Sequence, residues 1–306
     1  ATIQGINVPN IVYSQFRGTQ MLNITDDNHP AAGNATLVYH QDDAQFSVTA
    51  DQIKLWTINV DWENPANTTV SDPTSLFTTP FNAYFDGGQF GGNLTQINGV
   101  EMDAATHVIN NQAQFRKFET HNSAVFNFIE NALSQNPSST EEQAAIRWYE
   151  LRQDSEGEPW SIYQEGTYTA PDGKHAIYAS MAMDFQGNIG MGYTSFSENF
   201  LIESNYTGRY ASDELGVMSI EEGVILTSNS QNNVQRYADY AHLTLDPSDD
   251  KTFWFNTEIF RNNNRRDVVG VFKVASDFNN DIGIVSIDSP EDGSLNDSES
   301  ITVSIF

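Results

Sequence analysis

The sequence predicts an all-β chain built from repeated antiparallel hairpins, a β-propeller or a large part of one. Four observations predict it. Apolar residues fall on every second position in short runs, the period of a strand with one face buried. Two pairs of such runs are joined by an Asp-led polar turn, "SMAMDFQGNIGMGY" (Ser180–Tyr193) and "HLTLDPSDDKTFWF" (His242–Phe255), and "GVEMDAATHVI" (Gly99–Ile109) reads as a weaker third copy. Asp103, Asp184 and Asp246 stand 81 and then 62 residues apart, which suits four-stranded blades with long loops. Finally, 12% aromatic and only 18% charged residues favour strands and turns over helices.

Taken in order, the first strands are expected at "IVYSQF" (Ile11–Phe16), "ATLVYH" (Ala35–His40) and "QFSVTA" (Gln45–Ala50), with Asp26, Asp27 and Asn28 making a turn between them. Next, "IKLWTINVDWENPANTTV" (Ile53–Val70) gives a strand and a Pro/Asn turn, in which Trp56 and Trp62 read as aromatics packed between blades. The Gly-rich segment Phe81–Gly99 opens no helix, so it reads as a surface connection and not a phosphate cradle. A Pro and a Ser/Thr run make "IENALSQNPSSTEEQA" (Ile129–Ala144) a loop between blades. Strands follow at "IRWYEL", "WSIYQEG", "GVILTSNS" and "DVVGVFKVA". Blades are thus expected over residues 1–276.

Several of these segments carry a family resemblance. "AIRWYELRQ", "EPWSIYQEGTYTAPDGKHAIYASMAMDFQGNIGMGYTSFS", "NYTGRYASDELGVM" and "RYADYAHLTLDPSDDKTFWFNTEIF" resemble consecutive blades of the large β-propeller domains in secreted, cell-surface proteins of Bacteroidetes. "IKLWTINVDWENPANTTV" and "QFRKFETHNSAVFNF" resemble that family's preceding segments in the same order, so the likeness covers about residues 50 to 275. Family members usually carry many more residues before Ile53, and often cysteines; this chain has neither. The resemblance implies a cell-surface location and export by the type IX route. It also frames residues 277–306, where "IGIVSIDSP" and "ESITVSIF" resemble the opening of an immunoglobulin-like β-sandwich of the kind that follows such propellers. One hairpin cannot bury a sandwich core, so the chain is expected to be part of a longer polypeptide.

A formal net charge of −27, from 14 Lys+Arg against 41 Asp+Glu, repels phosphate backbones and excludes nucleic acid as a partner. No apolar run approaches the length of a membrane-spanning helix. Without cysteine there is no disulfide framework and no thiolate chemistry. No G-x-S-x-G or H-E-x-x-H is present. Against so few basic residues, Arg147, Arg209 and Arg236 recur beside aromatics or Gly in three blade-like units, so they are candidate ligand-binding groups, able to clamp a carboxylate bidentately. Alternatively each Arg pairs with a carboxylate between blades, as Arg236 would with Asp239. His121 and His175 complete the candidate ligand set. Hard oxygen donors crowd at Asp246, Asp249 and Asp250 and again at Asp277, Asn279 and Asp281, as a structural Ca²⁺ requires. These readings point to an extracellular scaffold or adhesin that contacts polysaccharide or another surface protein. Alternatives are a propeller glycosidase or polysaccharide lyase, and a spacer domain.

Overall fold

The computed structural model describes residues 5–11, 18–30, 34–44, 48–85, 94–106, 108–137, 139–275, 284–289 and 302–305. Among them the chain is all-β; its helical content is two 3₁₀ turns, Pro65–Asn67 and Pro171–Gly173, each nucleated by a proline at its first position. No helix is long and apolar enough to cross a membrane.

Within residues 1–274 the strands form four successive antiparallel units. In the first, β1 (Gln20–Ile24) pairs with β2 (Asn34–Gln41) and β2 with β3 (Gln52–Asn59), whose far side is shared by β4 (Thr69–Val70) and β5 (Thr74–Phe77). A small pair, β6 (Leu94–Thr95) and β7 (Glu101–Met102), follows. The second unit is the meander β8 (Ala113–Lys117), β9 (Asn122–Asn131), β10 (Ala144–Gln153) and β11 (Ser161–Tyr168). A third meander comprises β12 (His175–Met183), β13 (Ile189–Phe196), β14 (Glu203–Arg209) and β15 (Ile220–Thr227). The fourth is β16 (His242–Leu245), β17 (Phe253–Arg261) and β18 (Asn264–Phe272). Serial four-stranded meanders are the unit from which propellers are built.

The leading strands of the four units are held side by side. β1 and β8 pair in parallel, Leu22 opposite Ala113. Gln112 donates to the Leu243 carbonyl at 2.9 Å, and the Leu243 N–H donates to Ser180 Oγ at 2.8 Å, which ties β16 to the segment before β8 and to β12. At the far ends of these strands Gln114 donates to Thr25 Oγ1 at 2.7 Å and accepts from the Met183 N–H at 2.5 Å. Arg116, buried beside it, donates to the Met183 carbonyl at 2.9 Å and pairs with Asp250 and, at 3.5 Å, Asp26. One guanidinium of the second unit therefore touches groups contributed by the other three.

Packing between the third and fourth units depends on two glycines. Gly190 and Gly192 lie on one face of β13, and the rings of Phe253 and Phe255 on β17 occupy the space their side chains would fill. Both rings are fully buried in the large apolar cluster that joins β10, β12, β13 and β17. Such ring-on-backbone contact excludes even a methyl group.

The two strong hairpins of the sequence are β12–β13 and β16–β17, each turning at its Asp: Asp184 Oδ1 accepts from the N–H groups of Gln186 and Asn188, and Asp246 Oδ1 from that of Ser248. The third copy is not a hairpin. Met102 pairs backwards with Leu94, and Val108 bridges Gly18 in parallel. The reason lies partly far away in sequence: the Asp103 N–H is taken by the Gln235 carbonyl at 3.1 Å and its carboxylate by the Ala105 N–H at 2.8 Å, which turns the chain away from a return strand. Trp56 is buried as expected, its indole N–H donating to the Pro9 carbonyl at 2.8 Å, whereas Trp62 is 81% exposed because it follows the strand end in an open turn. Of the loop expected over 129–144, residues 129–131 still belong to β9 and Ala144 opens β10, and the described residues between them form no strand. Residues 12–17 and 45–47 lie outside the described residues, and 48–50 are not a strand. In the unit 275–306, β19 (Ile284–Ser289) and β20 (Thr302–Ile305) pair antiparallel.

Candidate binding site where the inner strands begin

A cavity of about 620 Å³ opens where β1, β8 and β16 start and where β12 passes them. It is lined by Gly18 and Gln20, by Asp103, Ala105, Thr106 and Val108–Asn111, by Tyr178 and Ala179, and by Arg236 and Ala238–Ala241. Four stretches far apart in sequence thus converge on one hollow, which is where ligand sites form on such scaffolds.

The backbone is bent to make it. Tyr178 sits in a bulge of β12, where the register with β13 slips between Ile177 and Ser180. Its φ is 49°, and Ala105 and Ala238, on two other walls, have φ of 46° and 47°. Residues with a Cβ avoid this region at a cost of about 1–3 kcal/mol each, and such positions concentrate at functional sites. The bulge places the Tyr178 hydroxyl to donate to the Asp103 carbonyl at 2.7 Å, which locks two walls together.

The charged lining residues are Asp103, Arg236 and Asp239. Asp103 is buried, and burial raises its pKa above the ordinary value, with the nearby charge of Asp239 adding to the rise and the Ala105 N–H and Arg236 opposing it. Arg236 is exposed and pairs with Asp239, and that hydrogen bond raises its own pKa further. Thr106 is 2% exposed, and its Oγ1 meets no hydrogen-bond partner among the described residues. A buried hydroxyl left in this state is a ready partner for a ligand. Asn111 reaches His242 Nδ1 at 2.9 Å on the rim. Tyr240 stands at the mouth, 89% exposed, a ring offered to solvent with no apolar cover. Hydroxyl, amide, one ion pair and a free aromatic face together suit a polar ligand with flat apolar faces.

Of the residues singled out in the sequence, Arg236 lines this cavity, and its partner is Asp239. Arg147 is buried in a separate network, donating to Tyr149 Oη at 3.0 Å, Thr167 Oγ1 at 3.2 Å and Glu165 Oε2 at 2.7 Å. Arg209, 1% exposed, donates to the carbonyls of Val217, Asp213 and Glu214 and so ties down the loop after β14. The three arginines share no partner. His121 stacks on Phe118 at 5.0 Å in the β8–β9 turn. His175 accepts from the Ala144 N–H at 3.2 Å, and burial pushes its pKa down to about 4.

In the 246–250 turn, Asp246 accepts from Ser248 and from the Trp254 indole N–H. Asp249 accepts from Lys251 and Thr252, donors that hold its pKa at about 2, and Asp250 is taken by Arg116. Asp277, Asn279 and Asp281 lie outside the described residues. Among the described residues, carboxylate oxygens gather within 4.8 Å at Asp42, Asp43 and Asp51 instead. Asp42 and Asp51 are buried there, and each accepts two backbone N–H groups: Ala44 and Ala83 for Asp42, Asp43 and Phe81 for Asp51. Burial pushes the Asp42 pKa up to about 6 in spite of those donors.

Sequence reasoning missed Thr106, Tyr178 and Tyr240. The available signal, for Tyr240, was "RYADYAH", where five aromatic or ionic groups alternate with alanines in a stretch that has no strand period.

No protein family matches the sequence, and no curated protein does. Solved structures similar to the chain include a bifunctional GH43-CE protein from Bacteroides eggerthii, at 11% identity and a TM-score of 0.39 over 87% of this chain. An α-L-arabinofuranosidase from Podospora anserina in complex with cellotriose shares 11% identity at a TM-score of 0.31 over 83% of the chain. An α-L-arabinanase from Penicillium chrysogenum complexed with arabinobiose shares 8% at 0.35 over 84%, and covers 77% of that protein. The chain spans 27% of the Bacteroides protein and 63% of the Podospora one.

Proposed function

We propose that the four units are blades of a β-propeller in an extracellular, cell-surface protein, and that the cavity at their inner strands binds a saccharide of a polysaccharide partner. The observation that carries this reading is the lining itself. Tyr240 offers an exposed ring, Thr106 an unsatisfied buried hydroxyl, and Arg236–Asp239 a paired fork of donors and acceptors. Sugars present an apolar face and a ring of hydroxyls, and this is the complement of both. The test is a glycan panel with bound protein and released product measured in the same tubes. Binding lost at least tenfold in Tyr240→Ala, with an unchanged melting temperature, supports the proposal; binding indifferent to Tyr240→Ala and Thr106→Val refutes it.

A second reading, glycoside hydrolysis, is favoured by one observation. Two carboxyl groups of unlike environment share the cavity, Asp103 buried with a raised pKa and Asp239 exposed. Hydrolysis of a glycosidic bond needs such a pair, one protonated and one ionised. Turnover by the parent that Asp103→Asn abolishes while binding persists would establish it. The type IX export route, the immunoglobulin-like module after residue 276 and a structural Ca²⁺ belong to the same proposal. A melting temperature lowered by EDTA and restored by Ca²⁺ is the result expected of the last.

A further inference from the structure

Resting on the saccharide reading, we infer that the cavity selects uncharged glycans and rejects those bearing uronate or sulfate. Among the described residues lining it, the one cation, Arg236, is already paired with Asp239 and lies in the field of Asp103. With both carboxylates ionised the described lining residues carry one net negative charge, and with Asp103 protonated they carry none; in neither state is there a free positive group among them. An incoming carboxylate or sulfate therefore meets Asp239 as a like charge, or must break the ion pair to reach the guanidinium. The remaining polar lining groups are neutral: Thr106, Asn110, Asn111, Gln20 and the tyrosines. Neutral hydroxyls exchange hydrogen bonds with all of these at no charge penalty. Beyond the cavity, the chain's formal charge of −27 repels a polyanion before it arrives.

The test uses the whole chain and matched probes, oligosaccharides of uronate polymers beside their carboxyl-reduced counterparts, which differ only by a carboxylate replaced by a hydroxymethyl group. At about 20 mM salt the neutral member of a pair is expected to bind about tenfold or more tightly, a gap that narrows at high salt. Asp239→Asn, an exposed change that frees Arg236, is expected to narrow the gap by raising affinity for the acidic member. Equal or tighter binding of the acidic member by the parent overturns the inference; if that binding is still lost in Tyr240→Ala, the saccharide reading stands without it. Failure of every probe, charged or neutral, overturns both.

Discussion

Replacing Gly192 with alanine tests the joint between the third and fourth units. A Cβ at this position falls 2.3, 2.4 and 2.6 Å from three ring carbons of Phe255. Carbon atoms rest at about 3.5–4.0 Å, so ring and strand must part by about 1 Å or more. Neither side yields easily. β13 is held by β12 and β14, β17 by β16 and β18, and Phe255 is fully buried. The cost therefore belongs at the upper end for an overpacked core, about 3 kcal/mol. At roughly 2–4 °C per kcal/mol for a domain of this size, the melting temperature falls by about 6–12 °C. Calorimetry reads it directly, and Gly173→Ala is the control. That glycine has nothing within 4 Å but a φ of 67°, so its cost is backbone strain alone, about 1 kcal/mol. Phe255→Ala in the Gly192→Ala background removes the clashing Cγ, Cδ1 and Cδ2 atoms, and the double-mutant cycle then shows coupling of opposite sign to the single losses. A melting temperature within 2 °C of the parent, or additivity across the cycle, would refute the packing argument.

Other outcomes follow from the same geometry. Asp42 has a folded pKa of about 6 against 3.8 as the ordinary value, so the stability tied to its protonated form is present below pH 4 and lost as pH rises through 6. Measured as the difference between the parent and Asp42→Asn, which cancels the titrating groups other than its neighbours Asp43 and Asp51, the parent loses about 3 kcal/mol between pH 4 and pH 7; a constant difference across that range contradicts the burial argument. Arg116→Met leaves Asp26 and Asp250 without their cation and is expected to cost about 3–5 kcal/mol by denaturant unfolding, and a loss under 1 kcal/mol means the guanidinium is dispensable. Tyr240→Phe retains most saccharide binding if the ring face is what matters, and loses it if the hydroxyl is.

What the sequence could disclose divides along local and non-local lines. The hairpins β12–β13 and β16–β17 were legible because alternation, Asp and turn residues all act within about fifteen positions. The pairing of Arg236 with Asp239 was legible for the same reason, being three residues apart. By contrast "GVEMDAATHVI" has the right residue types, yet its Asp103 is claimed by Gln235, over a hundred positions away. Arg147 and Arg209 looked alike in their aromatic settings, but one sits among side chains of β10 and β11 and the other among loop carbonyls. Trp62 carried no mark of exposure. The cavity was not legible, since its walls come from four segments whose meeting depends on the parallel register of β1 with β8 and on a bulge at Tyr178. Periodicity describes a strand and its face, and says nothing about which strand ends will share a rim.

The buried pair Gln114 and Arg116 has a consequence for traffic. Their hydrogen bonds to Thr25, Met183 and Asp250 fill the space between the inner strands at the end away from the cavity. On the saccharide reading, a polymer stopped by this plug engages the hollow through a terminus or a side branch beside Tyr240 and does not thread between the inner strands.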